Sequence, residues 1–170
     1  MTDFLFRGGL ADVDEAVYEL CQLEGERQVR RLILIPSESQ APLAVREALS
    51  SAFQNVYAEG YPDEDTRRMD ETQILDYARR LAHYRRYGDP RYYKGVEYAD
   101  SVEELARRRC AEAFAANGVG ADDIFVNVQP LSGAPANNAV YHALVNPGDT
   151  IMGMNLLHGG HLSHGSYRRG

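Results

Sequence analysis

Two segments near the start of the chain carry apolar residues at helical spacing. The first predicts a helix over residues 12–31. The second opens with Pro42, which suits the first turn of a helix, and runs to residue 52. Between them, the short apolar run LILIPSES is broken by Pro36 and predicts a strand or a turn.

Residues 63–90 form a separate block with a helical pattern of their own. Apolar and tyrosine side chains mark one face, and arginines fill the rest of the surface. This division predicts a solvated helix that packs on the domain through its tyrosines. The face residues are Ile74, Tyr77, Ala78, Leu81 and Tyr84, and the arginines are Arg79, Arg80, Arg85 and Arg86.

The second half of the chain alternates between helical and strand-like segments. Helical patterns cover 102–115 and 132–145, and apolar strand-like runs cover 123–130 and 149–157. Such alternation is typical of an α/β layer with a parallel sheet. We therefore expect an α/β fold that begins in this half.

Composition narrows the possible functions. The 170 residues are 44% hydrophobic and 25% charged, which is typical of a globular domain, and their net charge is −7. An acidic chain offers no face that neutralises phosphates, so we expect no nucleic-acid partner. The sequence lacks an apolar run of about 18 residues, so we expect no membrane span. Cys21 and Cys110 make no disulfide framework, and we expect two buried thiols in a reducing cytoplasm.

Small residues at a predicted helix start form one candidate site. Ser132, Gly133 and Ala134 stand between a strand-like run and the helix that follows it. A helix N-terminus presents unpaired N–H groups and a partial positive charge, and small side chains let an anion approach. The three residues fit a phosphate site, although a serine at this position is also typical of an ordinary helix cap.

Three histidines at a spacing of three, His158, His161 and His164, form a second candidate site. A helix would place His158 and His164 well apart around its axis, and Gly159 and Gly160 disfavour a helix here in any case. The loop also holds no acid to complete a hard-metal site. Two interpretations remain. One is a zinc site. The other, which we prefer, is that the glycines bring the backbone beside a ligand while an imidazole packs flat against a planar ring, so no metal is expected.

Aromatic and acidic residues in loops form a third candidate set. Glu59 has the chemistry of an acid–base group if it is buried. The tyrosines near it are either ligand contacts or surface anchors, and the residues alone leave both interpretations open. The set comprises Tyr57, Glu59, Tyr61, Tyr92 and Tyr93, with Ser37 and Glu38 similarly ambiguous in an earlier loop.

Six segments together resemble the serine hydroxymethyltransferase family, in its order and at its spacings. The resemblance covers nearly the whole chain but only about the N-terminal third of the family, and residues 63–90 stand outside it as an insertion. The segments are ERQ at 26–28, PSES at 36–39, YAEGYP at 57–62, RYYKGVEYAD at 91–100, NVQPLSGAPANNAVYHAL at 127–144 and PGDTIMGMNLLHGGHLSHGS at 147–166.

The resemblance implies a fold, an activity and partners. The family has the fold-type I, aspartate-aminotransferase-like architecture and binds pyridoxal 5'-phosphate (PLP). It moves a one-carbon unit between serine and tetrahydrofolate, giving glycine, and works as a homodimer. On this basis we expect an N-terminal helical arm over 1–62, a helical insertion over 63–90 and the truncated start of the cofactor-binding large domain over 91–170.

The resemblance also implies roles for individual residues. Ser132, Gly133 and Ala134 would hold the PLP phosphate, and His161 would act in catalysis by stacking on the pyridine ring. Glu59 would transfer a proton near the hydroxymethyl group. The remaining implied contacts are Ser37, Tyr57 and Tyr93 for the substrate, with Tyr57, Glu59 and Tyr93 reaching the neighbouring subunit, and Tyr92, Leu156, Gly160, His161 and Leu162 for folate.

The chain also departs from the family. The family's Schiff-base lysine, in a Thr-Thr-Thr-His-Lys motif, is absent, and the only lysine is Lys94, where the family usually has glycine. We therefore expect an N-terminal fragment of the transferase that is inactive as an isolated chain. The alternatives are a non-catalytic remnant or dimer partner that lacks this lysine, and a related PLP aldolase.

Overall fold

The computed structural model of the protein describes residues 8–88 and 91–164. Within these ranges the chain forms helices joined by turns and loops. It divides into two compact units, Met1–Gln54 and Asn55–Gly170.

The first unit contains the helices that its apolar spacing predicts. They are α1 (Leu10–Val13), α2 (Glu15–Arg30) and α3 (Leu43–Leu49). Asp14 caps α2 by accepting a hydrogen bond from the Val17 amide at 3.1 Å, and Pro42 occupies the N-cap of α3. Both predicted helices are confirmed, with ends that differ by a few residues.

The loop between α2 and α3 is a turn, one of the two structures predicted for LILIPSES. The amide of Glu38 donates to the carbonyl of Ile35 at 3.0 Å across Pro36. Apolar residues of α2, among them Leu20 and Leu23, are exposed. Cys21 on the same helix is exposed too, and Cys110 is only half-buried, so the expectation of two buried thiols is wrong.

The second unit is organised around one long helix. The elements of this unit are α4 (Glu71–Ile74), α5 (Tyr77–Tyr87), α6 (Glu97–Phe114) and α7 (Gly133–Leu144), with 3-10 turns at Glu64–Arg68, Ala121–Asp123, Leu156–His158 and Leu162–His164. The long helix is α6, which packs against α4, α5 and the turns at Glu64–Arg68 and Ala121–Asp123. Helix α7 contacts the turn at Leu162–His164.

The core of the second unit is more polar than apolar. Its buried apolar residues are Ile74, Tyr84, Val96 and Ala111. Six polar side chains are buried beside them, namely Thr66, Arg80, Arg91, Asp100, Ser101 and Glu104. Charged side chains leave water only when partners satisfy them. The core therefore depends on a network of hydrogen bonds as well as on apolar packing.

The prediction of a solvated arginine face on α5 is wrong at one position. Tyr84 packs inward as expected, but Arg80 is also only 6% exposed. Its guanidinium pairs with the buried Glu104 of α6 at 2.6 Å. A helical pattern predicts that an arginine on the polar face is exposed to solvent. Arg80 is buried instead because it pairs with Glu104, which lies 24 residues away along the chain and outside that pattern.

The described residues contain no β-strand, so the α/β layer predicted for this half is not confirmed. The runs 123–130 and 149–157, predicted as strands, are loops apart from short 3-10 turns at their ends. A strand is stabilised by ladder hydrogen bonds to a neighbouring strand, and these two runs do not pair with each other. Both helices that alternate with them, α6 and α7, are present.

None of the helices in the described ranges combines the length and the apolar character that crossing a membrane requires.

Candidate functional site

A buried arginine fixes the loop that carries Glu59. The Nη1 atom of Arg91 donates to the carbonyls of Ala58 and Gly60, at 2.5 and 3.1 Å, on either side of Glu59. The amide of Tyr92 donates to the carbonyl of Glu59 itself at 3.2 Å. The loop is therefore held through its backbone, and the Glu59 side chain stays exposed.

Gly60 allows the close approach of this loop to Arg91. Its φ is +99°, in the left-handed region that favours glycine, and a Cβ atom there would lie 3.2 Å from the Arg91 Cα. The Gln129 side chain donates to the Gly60 carbonyl at 2.8 Å and to Glu103 at 2.9 Å. Glycine is thus required both by the turn and by the contact.

The structure brings three predicted site residues together. The Glu59 carboxylate faces the Tyr93 hydroxyl and raises the pKa of Tyr93, because a nearby anion favours the protonated phenol. The rings of Tyr57 and Tyr93 lie with centroids 6.2 Å apart at an interplanar angle of 37°. All three side chains are exposed, so the burial that an acid–base role for Glu59 requires is not provided within this chain.

Two acidic residues of α6 satisfy the remaining donors of Arg91. Its Nε donates to Asp100, and its Nη2 donates to Glu103 at 2.5 Å. Burial alone would lower the pKa of Arg91, but the two carboxylates outweigh it and hold this pKa above its ordinary value. Arg91 is therefore a charged link between α6 and the Glu59 loop.

The block 63–90 joins this network through α5. The Tyr84 hydroxyl donates to the second oxygen of Asp100 at 2.7 Å, and it accepts from Arg80 at 2.8 Å. Burial, followed by the bond to Asp100, raises the pKa of Tyr84. A chain of buried polar contacts thus runs from Glu104 through α5 to the loop of Glu59.

Local patterns in the sequence do not reveal this network. Arg91 and Asp100 both fall inside the RYYKGVEYAD segment, nine positions apart, so their presence in one motif was the available signal. The contributions of Tyr84 and Arg80 had no signal in the sequence, because each contacts a residue that is distant along the chain.

The candidate phosphate site lies at the open start of α7. Ser132 is the N-cap in an extended conformation, and its hydroxyl makes no capping hydrogen bond. The Ala136 amide already donates to the Ser132 carbonyl at 3.1 Å, and Pro135 has no N–H. The amides of Gly133 and Ala134 have no acceptor within the helix. The Ser132 hydroxyl and these two amides are the donors that an anion would meet.

His161 is tied to the same helix. Its Nδ1 lies 2.7 Å from the Ser163 Oγ and accepts from the Ser163 amide at 3.2 Å. Asn137 of α7 donates to the Ser163 Oγ at 2.6 Å. Neither Asn137 nor Ser163 was recognised from the sequence. His161 also lies 5.9 Å from His164 between ring centroids.

The residues of the predicted folate contact lie in a tight glycine loop. Gly160 donates its amide to the Asn155 carbonyl at 3.0 Å, and a Cβ atom at Gly160 would lie 1.9 Å from the Met154 carbonyl oxygen. Leu156 and Leu162 are exposed on either side of it. The loop therefore presents apolar side chains on a backbone that admits only glycine at its centre.

The remaining predicted residues lie outside these clusters. Ser37 is exposed in the turn after α2, in the first unit, and Tyr92 is exposed beside Tyr93. Gly165 and Ser166, which end the last segment of the resemblance, lie outside the described residues. The described residues contain no group of three metal-ligating side chains, and this holds for His158, His161 and His164 as a set.

Comparison with known proteins identifies relatives of most of the chain. The sequence profile of the family described as serine hydroxymethyltransferase matches residues 10–88 and 83–169. Serine hydroxymethyltransferases of Aggregatibacter actinomycetemcomitans and of a Nitratiruptor species are 44% and 43% identical over 157 residues, and serine hydroxymethyltransferase 1 of Sulfurimonas denitrificans is 42% identical. Each alignment covers 92% of this chain and 30% of the relative, so the chain spans under a third of the length of these curated relatives.

Proposed function

We propose a function from one premise: the chain belongs to the serine hydroxymethyltransferase family. It supplies the N-terminal part of a PLP-dependent enzyme that transfers the hydroxymethyl group of serine to tetrahydrofolate and leaves glycine. The fold of that enzyme is fold-type I, and its large domain begins in the second unit. The complete protein works as a homodimer in the cytoplasm.

One observation carries the proposal: α7 begins at the uncapped Ser132 and also bonds to the histidine loop. Ser132 stands at its N-cap, and Asn137, on its second turn, bonds to Ser163 beside His161. One rigid helix thus connects donors for a phosphate with an exposed aromatic ring. This pairing supports a ligand that carries a phosphate and a planar ring, as PLP does.

The residues present fit this cofactor. An uncapped serine hydroxyl and two free amides match the oxygens of a phosphate, and the helix N-terminus favours its charge. The exposed imidazole of His161 matches a planar ring. When bound, PLP supplies the electron sink that permits cleavage of the Cα–Cβ bond of serine.

The Glu59 loop contacts the amino-acid substrate and exchanges a proton with it. Arg91 and Tyr92 hold its backbone, and the Tyr93 hydroxyl faces the Glu59 carboxylate. In that position Glu59 accepts or returns the proton of the substrate hydroxymethyl oxygen. Closure by the neighbouring subunit supplies the burial that this chain alone does not provide. Ser37 and Tyr57 contact the amino-acid substrate.

The glycine loop receives the folate. Leu156 and Leu162 supply apolar contacts, Gly160 lets the backbone approach a planar ring system, and Tyr92 stacks against it. The block 63–90 directly precedes Arg91 and Tyr92 in the sequence, and its network to Asp100 and Arg91 reinforces the Glu59 loop.

Titration of the chain with PLP tests the cofactor part of the proposal. Ser132→Ala removes a donor to a charged group, which costs about 1.5–3 kcal/mol, so PLP affinity followed by absorbance falls about tenfold or more. Ser50→Ala, in the first unit, is the control and leaves the affinity unchanged. Equal affinities of the two variants would refute the phosphate assignment.

A further inference from the structure

The hydrogen bonds beside the His161 ring have defined donors and acceptors. The Nδ1 atom receives the Ser163 amide at 3.2 Å and lies 2.7 Å from the Ser163 Oγ. The Asn137 side-chain amide lies 2.6 Å from the same Oγ. Ser163 and Asn137 are both half-buried, whereas His161 is exposed.

The donors determine the position of the ring proton. A backbone N–H only donates, so Nδ1 of His161 accepts and carries no proton. The Asn137 amide donates to the Ser163 Oγ, which leaves the serine hydrogen to point at Nδ1. The proton of the neutral imidazole is therefore on Nε2, at the edge of the ring away from Ser163.

We infer that Asn137 and Ser163 are positioning residues for His161, fixing its ring orientation and keeping its proton on Nε2. This inference rests on the proposed function, in which His161 packs on the PLP ring. It adds two residues that fix how the imidazole is presented. Because Asn137 belongs to α7, the helix that carries Ser132 also sets the tautomer of the stacking ring.

The two contacts to Ser163 make different demands on its side chain. The hydroxyl must accept from Asn137 and donate to His161 at once, which threonine also does and alanine does not. An aspartate at 137 would accept the serine hydrogen instead of donating, and would turn the hydroxyl away from Nδ1. Substitutions at the two positions therefore separate a directed chain of hydrogen bonds from simple packing.

Nitrogen NMR of the histidine side chains in the cofactor-free 170-residue chain tests the inference. The ¹⁵N shifts of an imidazole report which ring nitrogen carries the proton, at a pH where the ring is neutral. His142 and His158 are exposed and serve as internal references, and a variant lacking His161 assigns its signals.

The expected result is that the wild-type His161 is more fully protonated on Nε2 than the references. Ser163→Ala and Asn137→Asp leave Nδ1 with only the longer bond from the Ser163 backbone amide, so the tautomer proportion shifts part of the way toward that of His158, and Ser163→Thr keeps the wild-type value. A His161 spectrum that is the same in wild type and Ser163→Ala would overturn the inference, as would Ser163→Thr behaving like Ser163→Ala. The helical circular dichroism of each variant checks that α7 is intact.

The readout does not depend on cofactor binding. If the tautomer behaves as expected and the chain fails to bind PLP, the proposed function fails and the positioning of His161 stands. If PLP binds and the tautomer is insensitive to Ser163, the positioning role is wrong and the cofactor assignment stands.

Discussion

The Tyr84 hydroxyl lies 2.7 Å from the second carboxylate oxygen of Asp100, whose first oxygen accepts from Arg91. One buried carboxylate thus connects α5, in the block 63–90, with the arginine that holds the Glu59 loop. Asp100 is completely buried, so each of its donors offsets part of the cost of removing its charge from water. The block is therefore a structural support of the candidate site.

Tyr84→Phe tests this support. The ring remains, but Asp100 loses a donor and Arg80 loses an acceptor, so we expect the chain to lose about 1–3 kcal/mol of unfolding free energy. Urea denaturation measures the loss. Tyr87→Phe removes an exposed hydroxyl from the same helix and should leave the unfolding free energy unchanged. Equal stability of Tyr84→Phe and the wild type would show that the contact contributes nothing.

Arg91→Lys tests how the Glu59 loop is held. Lysine keeps the charge but lacks the planar fork that serves two carbonyls and two carboxylates, so we expect a loss of about 2 kcal/mol or more. Hydrogen exchange at the Tyr92 amide, which bonds to the Glu59 carbonyl, should quicken as the loop is released. Arg79→Lys, on the exposed side of α5, is the matched control. Unchanged exchange at Tyr92 would mean that other contacts hold the loop.

Glu59→Gln tests the pair with Tyr93. The carboxylate raises the pKa of Tyr93 above the ordinary 10.0, so removing its charge should lower that pKa toward 10.0. In the wild type, where Glu59 raises the pKa of Tyr93, the folded chain binds the phenol proton more tightly than the unfolded chain. The resulting stability is present below about pH 10 and is lost as pH rises through the raised pKa.

A ¹³C NMR titration of the Tyr93 ring carbon that bears the hydroxyl measures this pKa directly. Glu38→Gln, which removes an exposed carboxylate from the first unit, is the control and should leave it in place. A Tyr93 pKa that is the same in Glu59→Gln and the wild type would contradict the contact.

Gly160→Ala tests the glycine loop. The new Cβ would lie 1.9 Å from the Met154 carbonyl oxygen, so the loop must open and lose the bond from Gly160 to Asn155. We expect thermal unfolding to show a loss of about 1–3 kcal/mol. Gly25→Ala, in the middle of α2 with no atom within 4 Å of the added methyl, should instead gain about 0.5–1 kcal/mol. Equal effects would show that the loop accommodates a side chain.

Local patterns in the sequence were sufficient to predict the helices. Apolar spacing located α2, and Pro42 located the start of α3, because helix formation depends on neighbouring residues. The predicted strands were not confirmed in the described residues, because an apolar run becomes a strand only when another strand pairs with it. The two runs do not provide that partner for each other.

The residues of the candidate site also fall into a group that the sequence predicts and a group that it does not. Glu59, Tyr57 and Tyr93 could be selected from their loops, and the structure brings them together. The residues that hold the site could not, because Arg91, Asp100 and Tyr84 act through contacts between different elements. Ser163 lies two residues from His161, in a segment where the three histidines were the residues that indicated a site. Nothing in the sequence marks the serine itself.

Hydroxymethyl transfer by a chimera tests the central claim most directly. Residues 10–169 of this chain would replace the matched portion of the Aggregatibacter actinomycetemcomitans serine hydroxymethyltransferase, and glycine formation from serine and tetrahydrofolate would be measured. We predict turnover by the PLP-loaded chimera, a fall of about 100-fold or more in kcat with Glu59→Gln, and no turnover by the isolated 170 residues, whose only lysine is Lys94. A folded, PLP-loaded chimera that forms no glycine, or one that is indifferent to Glu59→Gln, would contradict the account.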